Sequence, residues 1–200
     1  FRKAHPAIRF CINGECDAPL RFASADCEIT FGPRRAPDET DILFRDFVVP
    51  LTSPENAHRV ARSPMRQRLE GFPLLHLDFY RNDPAIPSWP RWVEMHKLKR
   101  TGPERGIRHQ RIVPALEAIE ADAGIALCGL ALVCPLIDAG RVQLPFPLST
   151  GVRTEHAFQA RFRPEAIVRP QMRRFREWLL REAEATRDWL TRTTGKRAWT

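Results

Sequence analysis

Between residues 112 and 144 the spacing of apolar positions changes three times. Ile112, Leu116, Ile119 and Ala123 recur at helical intervals, with Pro114 suited to a first turn. Gly124 can end that helix, because glycine takes positive φ without steric cost. Residues 125–128 then form a short apolar run of buried-strand type. Helical spacing returns over 130–139, Gly140 closes it, and 142–144 predicts another strand. Helix, strand, helix, strand, each punctuated by glycine, is the rhythm of an α/β domain.

The rest of the chain is consistent with that class. Residues 1–5 read as the tail of a helix, ended by Pro6. Ile8, Phe10 and Ile12 alternate with polar neighbours and predict a strand over 7–13, turned by Asn13-Gly14. A second strand spans 27–31 and a long third one 42–51. Ser53 and Pro54 then supply an N-cap and a first helical residue for a helix over 54–61. A short helix near 64–69, a strand over 72–77, a proline-broken loop over 78–90 and a helix from Trp89 to about His96 follow. After a turn over 101–106, a brief strand over 107–110 leads into the opening block. Residues 156–162 alternate as a strand. The longest helix is predicted over 170–190, its apolar side marked by Met172, Phe175, Trp178, Leu179 and Leu190. Residues 191–200 read as a frayed tail.

Composition narrows the class further. With 200 residues, 43% hydrophobic and 28% charged, the chain has the makings of one large domain or two small lobes. No apolar run approaches the ~20 residues a bilayer span needs, so no membrane partner is expected. The opening FRKAHPAIRF lacks the apolar core of a secretion signal, and a cytoplasmic fragment of something longer is expected. Five cysteines without CxxC spacing fit reduced thiols better than a disulfide framework or zinc site. The net charge of +8 comes mostly from arginines scattered among acids, which reads as a solvated surface, with no basic-aromatic stripe for nucleic acid. No G-x-S-x-G, P-loop, GxGxxG or HExxH motif is present, and no metal, cofactor or enzymatic activity is expected.

Eight pieces, in order, resemble the effector-binding domain of LysR-type transcriptional regulators, in the branch with W-x-x-W. They are FRKAHPAIRF (1–10), DCEITFG (26–32), PLTSP (50–54), FPLLHLD (72–78), WPRW (89–92), AIEADAGIAL (118–127), LIDAGRVQLPF (136–146) and FREWLLREA (175–183). The resemblance implies a two-lobed fold like the type II periplasmic binding proteins, with two crossover strands. Lobe one would hold residues 1–51 and 160–200, and lobe two residues 52–159. The family's DNA-binding helix-turn-helix and the first strand of lobe one would precede Phe1, so DNA would be reached only through that missing segment. The implied function is sensing a small-molecule effector between the lobes, in a homodimer or tetramer. A stand-alone solute-binding protein of a transporter is the alternative.

In such folds ligands sit at strand C-termini and helix N-termini between the lobes. Matching the family's pattern nominates Gly14 and Glu15, Phe31 and Gly32, Thr52 and Ser53, and His109, Gln110 and Arg111. Each has a plainer role open to it. Ser53 serves as a helix cap, Gly32 can simply release the chain into its loop, and His109 can be an ordinary loop histidine. Arg111 suggests an anionic effector or a surface salt bridge in equal measure, while Glu15 would disfavour an anion.

Overall fold

The described residues build two separate β-sheets, and the chain leaves the smaller one after Phe44 and returns to it at Ala157. The computed structural model describes residues 1–9, 11–12, 25–35, 40–196 and 199–200. In chain order the strands are β1 (Cys27–Gly32), β2 (Asp41–Phe44), β3 (Phe47–Leu51), β4 (Leu74–Leu77), β5 (Ile107–His109), β6 (Ile125–Gly129), β7 (Val152–Arg153) and β8 (Ala157–Phe162). The helices are α1 (Pro54–Ala61), α2 (Trp89–Met95), α3 (Ile112–Glu120), α4 (Leu130–Asp138), α5 (Pro164–Ile167) and α6 (Pro170–Thr194). A three-stranded antiparallel sheet has the order β1-β8-β2, and a five-stranded mixed sheet the order β5-β4-β6-β3-β7. In the larger sheet β4, β5 and β6 run parallel, while β3 is antiparallel to both β6 and β7.

Helices cover the five-stranded sheet on both faces, which is why its strands are apolar at consecutive positions. Ile125 and Leu127 of β6 join Val48 and Leu74 in a cluster with Val60 of α1 and Trp89, Trp92 and Val93 of α2. Their neighbours Ala126 and Cys128 join Phe47, Val49 and Leu75 in a second cluster, with Ile119 of α3, Leu130 and Val133 of α4 and Leu190 of α6. Both tryptophans of WPRW anchor α2. Trp89 Nε1 donates to Leu75 O at 3.0 Å and Trp92 Nε1 to Thr150 O at 3.1 Å. The three-stranded sheet packs Leu43 and Ala160 on Ala183, Leu179 and Leu180 of α6. Among the described residues no helix is long and apolar enough to cross a membrane.

The expected cap of α1 holds: Ser53 Oγ accepts from Asn56 N at 3.2 Å. Gly124 does not end α3, which stops at Glu120 with Asp122 taking the positive φ of +60°. At φ +158°, Gly124 instead brings the chain so close to Pro73 that a Cβ would meet the Pro73 carbonyl oxygen at 2.5 Å. That approach aligns Ile125 N with Pro73 O at 3.0 Å and starts the β6 pairing.

Others are corrected. The long strand expected over 42–51 is two strands in different sheets, broken at Arg45–Asp46, because Asp46 N leaves the ladder for Thr154 Oγ1. The stretch 142–144 forms no strand, only an isolated bridge between Gln143 and Thr52. The short helix near 64–69 is a single 3₁₀ turn at Met65–Gln67. Residues 7–9 and 11–12 are not in a strand, and the remainder of that expected strand lies outside the described residues. The tail is not frayed: α6 runs on to Thr194 and stops at Gly195 in the left-handed region, and Trp199 is buried.

Candidate functional site

The segments that cross between the sheets lie side by side. Asp46 N donates to Thr154 Oγ1 at 2.9 Å, and Thr154 N donates to Asp46 O at 3.0 Å. Asp83, also buried, holds the second crossing from outside: its carboxylate accepts from Glu155 N at 3.2 Å and His156 N at 2.8 Å. A third N–H, from Ala85 at 2.9 Å, closes the turn around the same oxygen that takes Glu155.

Asp46 is completely buried. Its Oδ1 accepts from Phe47 N at 2.7 Å and from Ala131 N, in the first turn of α4, at 2.9 Å. Oδ2 lies by the Tyr80 hydroxyl, which interacts with the carboxyl without reaching regular hydrogen-bond geometry at that atom. That hydroxyl accepts from Gly129 N at 3.2 Å. Burial raises the Asp46 carboxyl to about 7, against the lowering effect of Ala131 N–H, Phe47 N–H and Tyr80. Burial and the neighbouring Asp46 also push the Tyr80 phenol well above its ordinary range.

An aromatic cluster spans the same junction. Phe31, at the end of β1, stacks on Phe79 with ring centroids 5.2 Å apart and meets Phe158 at 5.0 Å, Tyr80 at 5.4 Å and His156 at 5.7 Å. Phe31 and Phe158 come from the smaller sheet, whereas Phe79 and Tyr80 follow β4 of the larger one.

Strand direction sorts the nominated residues. Parallel β4, β5 and β6 all end at the edge of the larger sheet where β3 begins and the crossings lie, as Gly129 opposite Val48 and His109 opposite Leu77 show. Phe31 and Gly32 reach this junction from the other sheet, with Gly32 opposite Ala157 at the start of β8. His109 is half-buried there, its Nε2 enclosed without a hydrogen-bond partner. Gln110 and Arg111 are exposed at the start of α3.

Thr52 and Ser53 stand at the opposite edge, because antiparallel β3 ends where β6 begins. Thr52 is fully buried, its hydroxyl donating to Gly124 O at 2.9 Å, and Ser53 is spent on the α1 cap. Neither faces the junction. Gly14 and Glu15 lie outside the described residues. An open groove lined by Ala57, His58, Arg68, Gln143 and Phe146 takes in none of the nominated residues.

Sequence reasoning passed over Asp46, Asp83, Tyr80, Phe79 and Thr154. Asp46 left a signal, being a lone acid inside the apolar run ILFRDFVVPL. Phe79, Tyr80 and Asp83 sit in the stretch read as loop, and neither they nor Thr154 carry a local mark. Burial pushes the Cys27 thiol up to about 12 and raises Cys128 and Cys134, so none of these three is an activated thiol. Among the described residues no cluster of three or more His, Cys, Asp or Glu could hold a metal ion.

The model of the LysR substrate binding domain matches residues 1–184, and the chain belongs to that family, with its type II periplasmic-binding-protein-like α/β fold. Among solved structures it is similar to the effector domain of the transcriptional regulator AmpR of Pseudomonas aeruginosa, with 28% identity and a TM-score of 0.59 over 80% of this chain and 73% of that one. The AmpR effector binding domain from Citrobacter freundii is 25% identical, with a TM-score of 0.59 over 80% and 75% of the two chains. The regulatory domain of CrgA from Neisseria meningitidis, 18% identical with a TM-score of 0.52 over 78% and 75%, shares the fold. No curated protein matches the chain.

Proposed function

We propose that this chain senses a small-molecule effector for a LysR-type transcriptional regulator, and that the effector binds where the crossings meet. Two lobes follow the sheets: residues 27–44 with 157–162 belong to one, and 47–153 to the other. The observation that carries the reading is the convergence of Phe31 and Gly32 with Phe79 and His109 on the edge where the parallel strands end. Ligands of open α/β sheets collect at such an edge. Phe31, Gly32, His109, Gln110 and Arg111 would line the site, and exposed Arg111 gives it one cation for an anionic group.

An effector would act by favouring one arrangement of the sheets over another, shifting that balance only by its differential affinity for the two. The aromatic contact of Phe31 with Phe79 joins the sheets, so a ligand entering there would separate or tighten them. In the intact regulator this motion would pass to a DNA-binding domain within a cytoplasmic homodimer or tetramer. The role is regulatory and not catalytic.

A thermal-shift screen of metabolites tests the reading. A true effector raises the melting temperature of the unmodified chain and of Thr52→Val, and loses that effect in Phe31→Ala and Gln110→Ala. A metabolite that stabilises all four proteins equally binds somewhere else.

A further inference from the structure

The family match ends at residue 184, within α6, and the last turns of that helix make contacts of their own. The earlier turns of α6 belong to the three-stranded sheet. Leu179, Leu180 and Ala183 pack on Leu43 and Ala160, and Arg176 makes two 2.6 Å hydrogen bonds to the carboxylate of Asp41. The last turns belong to the five-stranded sheet, where Leu190 is fully buried with Phe47, Val49, Leu130 and Val133, and Trp189 packs alongside.

Trp199 extends this second attachment to the crossing itself. It is 3% exposed, and its ring meets the edge of Phe47 at 6.1 Å. Its carbonyl oxygen accepts from Arg45 N at 2.6 Å, and its Nε1 donates to Lys196 O at 3.1 Å. Lys196 Nζ in turn lies 4.2 Å above the Phe47 ring. A buried tryptophan thus holds the backbone of Arg45, one of the two residues between β2 and β3, through a main-chain hydrogen bond, while its ring packs on Phe47, over which Lys196 also sits.

We infer that Trp199 is an anchor pinning the first crossing to the core of the five-stranded sheet, so that the angle between the sheets cannot change until Trp199 leaves its seat. The inference rests on the hinged-sensor reading for its functional meaning. It adds an intrachain restraint that an effector must overcome or reinforce, placed beyond the residues that the family model matches.

Hydrogen exchange on the unliganded chain tests it, and because no ligand is used, failure here leaves the outcome of the effector screen untouched. Trp199→Ala should speed exchange at the Arg45, Asp46 and Thr154 amides by about tenfold or more, while Ala126 and Leu127 in β6 keep their protection. Trp199→Phe retains an apolar ring in a folded chain and should give the same pattern at smaller amplitude. Unchanged rates at Arg45 in either variant, or an equal increase at Arg45 and Ala126, would overturn the inference, the latter by reducing Trp199 to an ordinary core residue.

Discussion

Asp46 and Thr154, 108 positions apart, hold each other through both main chains, one N–H reaching a hydroxyl and the other a carbonyl. The Thr154 hydroxyl donates onward to His156 O at 2.8 Å, and Asp83 binds the N–H groups of Glu155 and His156. The two crossings are therefore one stitched unit. Bending between the sheets has to pass through it, because a main-chain hydrogen bond broken in a buried place costs about 1–3 kcal/mol.

The Asp46 carboxyl makes this unit sensitive to pH. The groups facing it are the Tyr80 phenol, the Cys128 thiol and the N–H groups of Phe47 and Ala131, with Cys134 farther along α4. Burial raises both Tyr80 and Cys128, which stay neutral, and among the described residues no cation acts on the Asp46 carboxyl. A carboxyl raised from 3.8 to about 7 binds its proton more tightly in the folded chain than in the unfolded one. Its contribution to stability is complete below the unfolded value and is lost as pH rises through the folded one, at roughly 1.4 kcal/mol per pH unit. Asp46→Asn removes that slope. Urea unfolding at several pH values should show the unmodified chain weakening between about pH 4 and 7 relative to the variant. Parallel curves would place the proton elsewhere.

How much of this was legible depends on where each signal resides. Residues 112–138 announced α3, β6 and α4 to within a few positions, because periodicity, glycine stops and a buried apolar run are local properties. The Ser53-Pro54 cap was equally plain. The break at Arg45–Asp46 was marked only by the lone acid Asp46, with no glycine or proline beside it, and the atom that draws Asp46 out of the ladder belongs to Thr154. Trp199 looked like tail for the same reason: its partners Phe47 and Arg45 lie more than half the chain away. The position of Thr52 is a matter of strand direction. A strand's apolar pattern reads the same both ways, and only the antiparallel pairing of β3 with β6 puts Thr52 at the far edge.

Thr52 therefore has a structural part to play. Its hydroxyl is a buried donor to Gly124 O, at the glycine that begins the approach of β6 to Pro73. Thr52→Val preserves shape and leaves that carbonyl without its partner, so the expected loss is about 1–2 kcal/mol. Chemical denaturation measures it. An unchanged midpoint, together with weakened effector binding, would return Thr52 to the site.

Gly129 is required for space, not for backbone freedom. As the last residue of β6 and the N-cap of α4 it has φ −74°, open to any residue. A Cβ there would press on the Asp46 carboxylate and meet the Tyr80 hydroxyl at 2.5 Å, two rigidly held groups. Gly129→Ala should cost about 1–3 kcal/mol by overpacking. Shortening the neighbour makes room, so the alanine should cost at least ~1 kcal/mol less in an Asp46→Ser background than alone. A double-mutant cycle followed by urea unfolding gives that difference directly. Strict additivity would mean that β6 shifts as a whole and that the carboxylate does not set the clearance at Gly129.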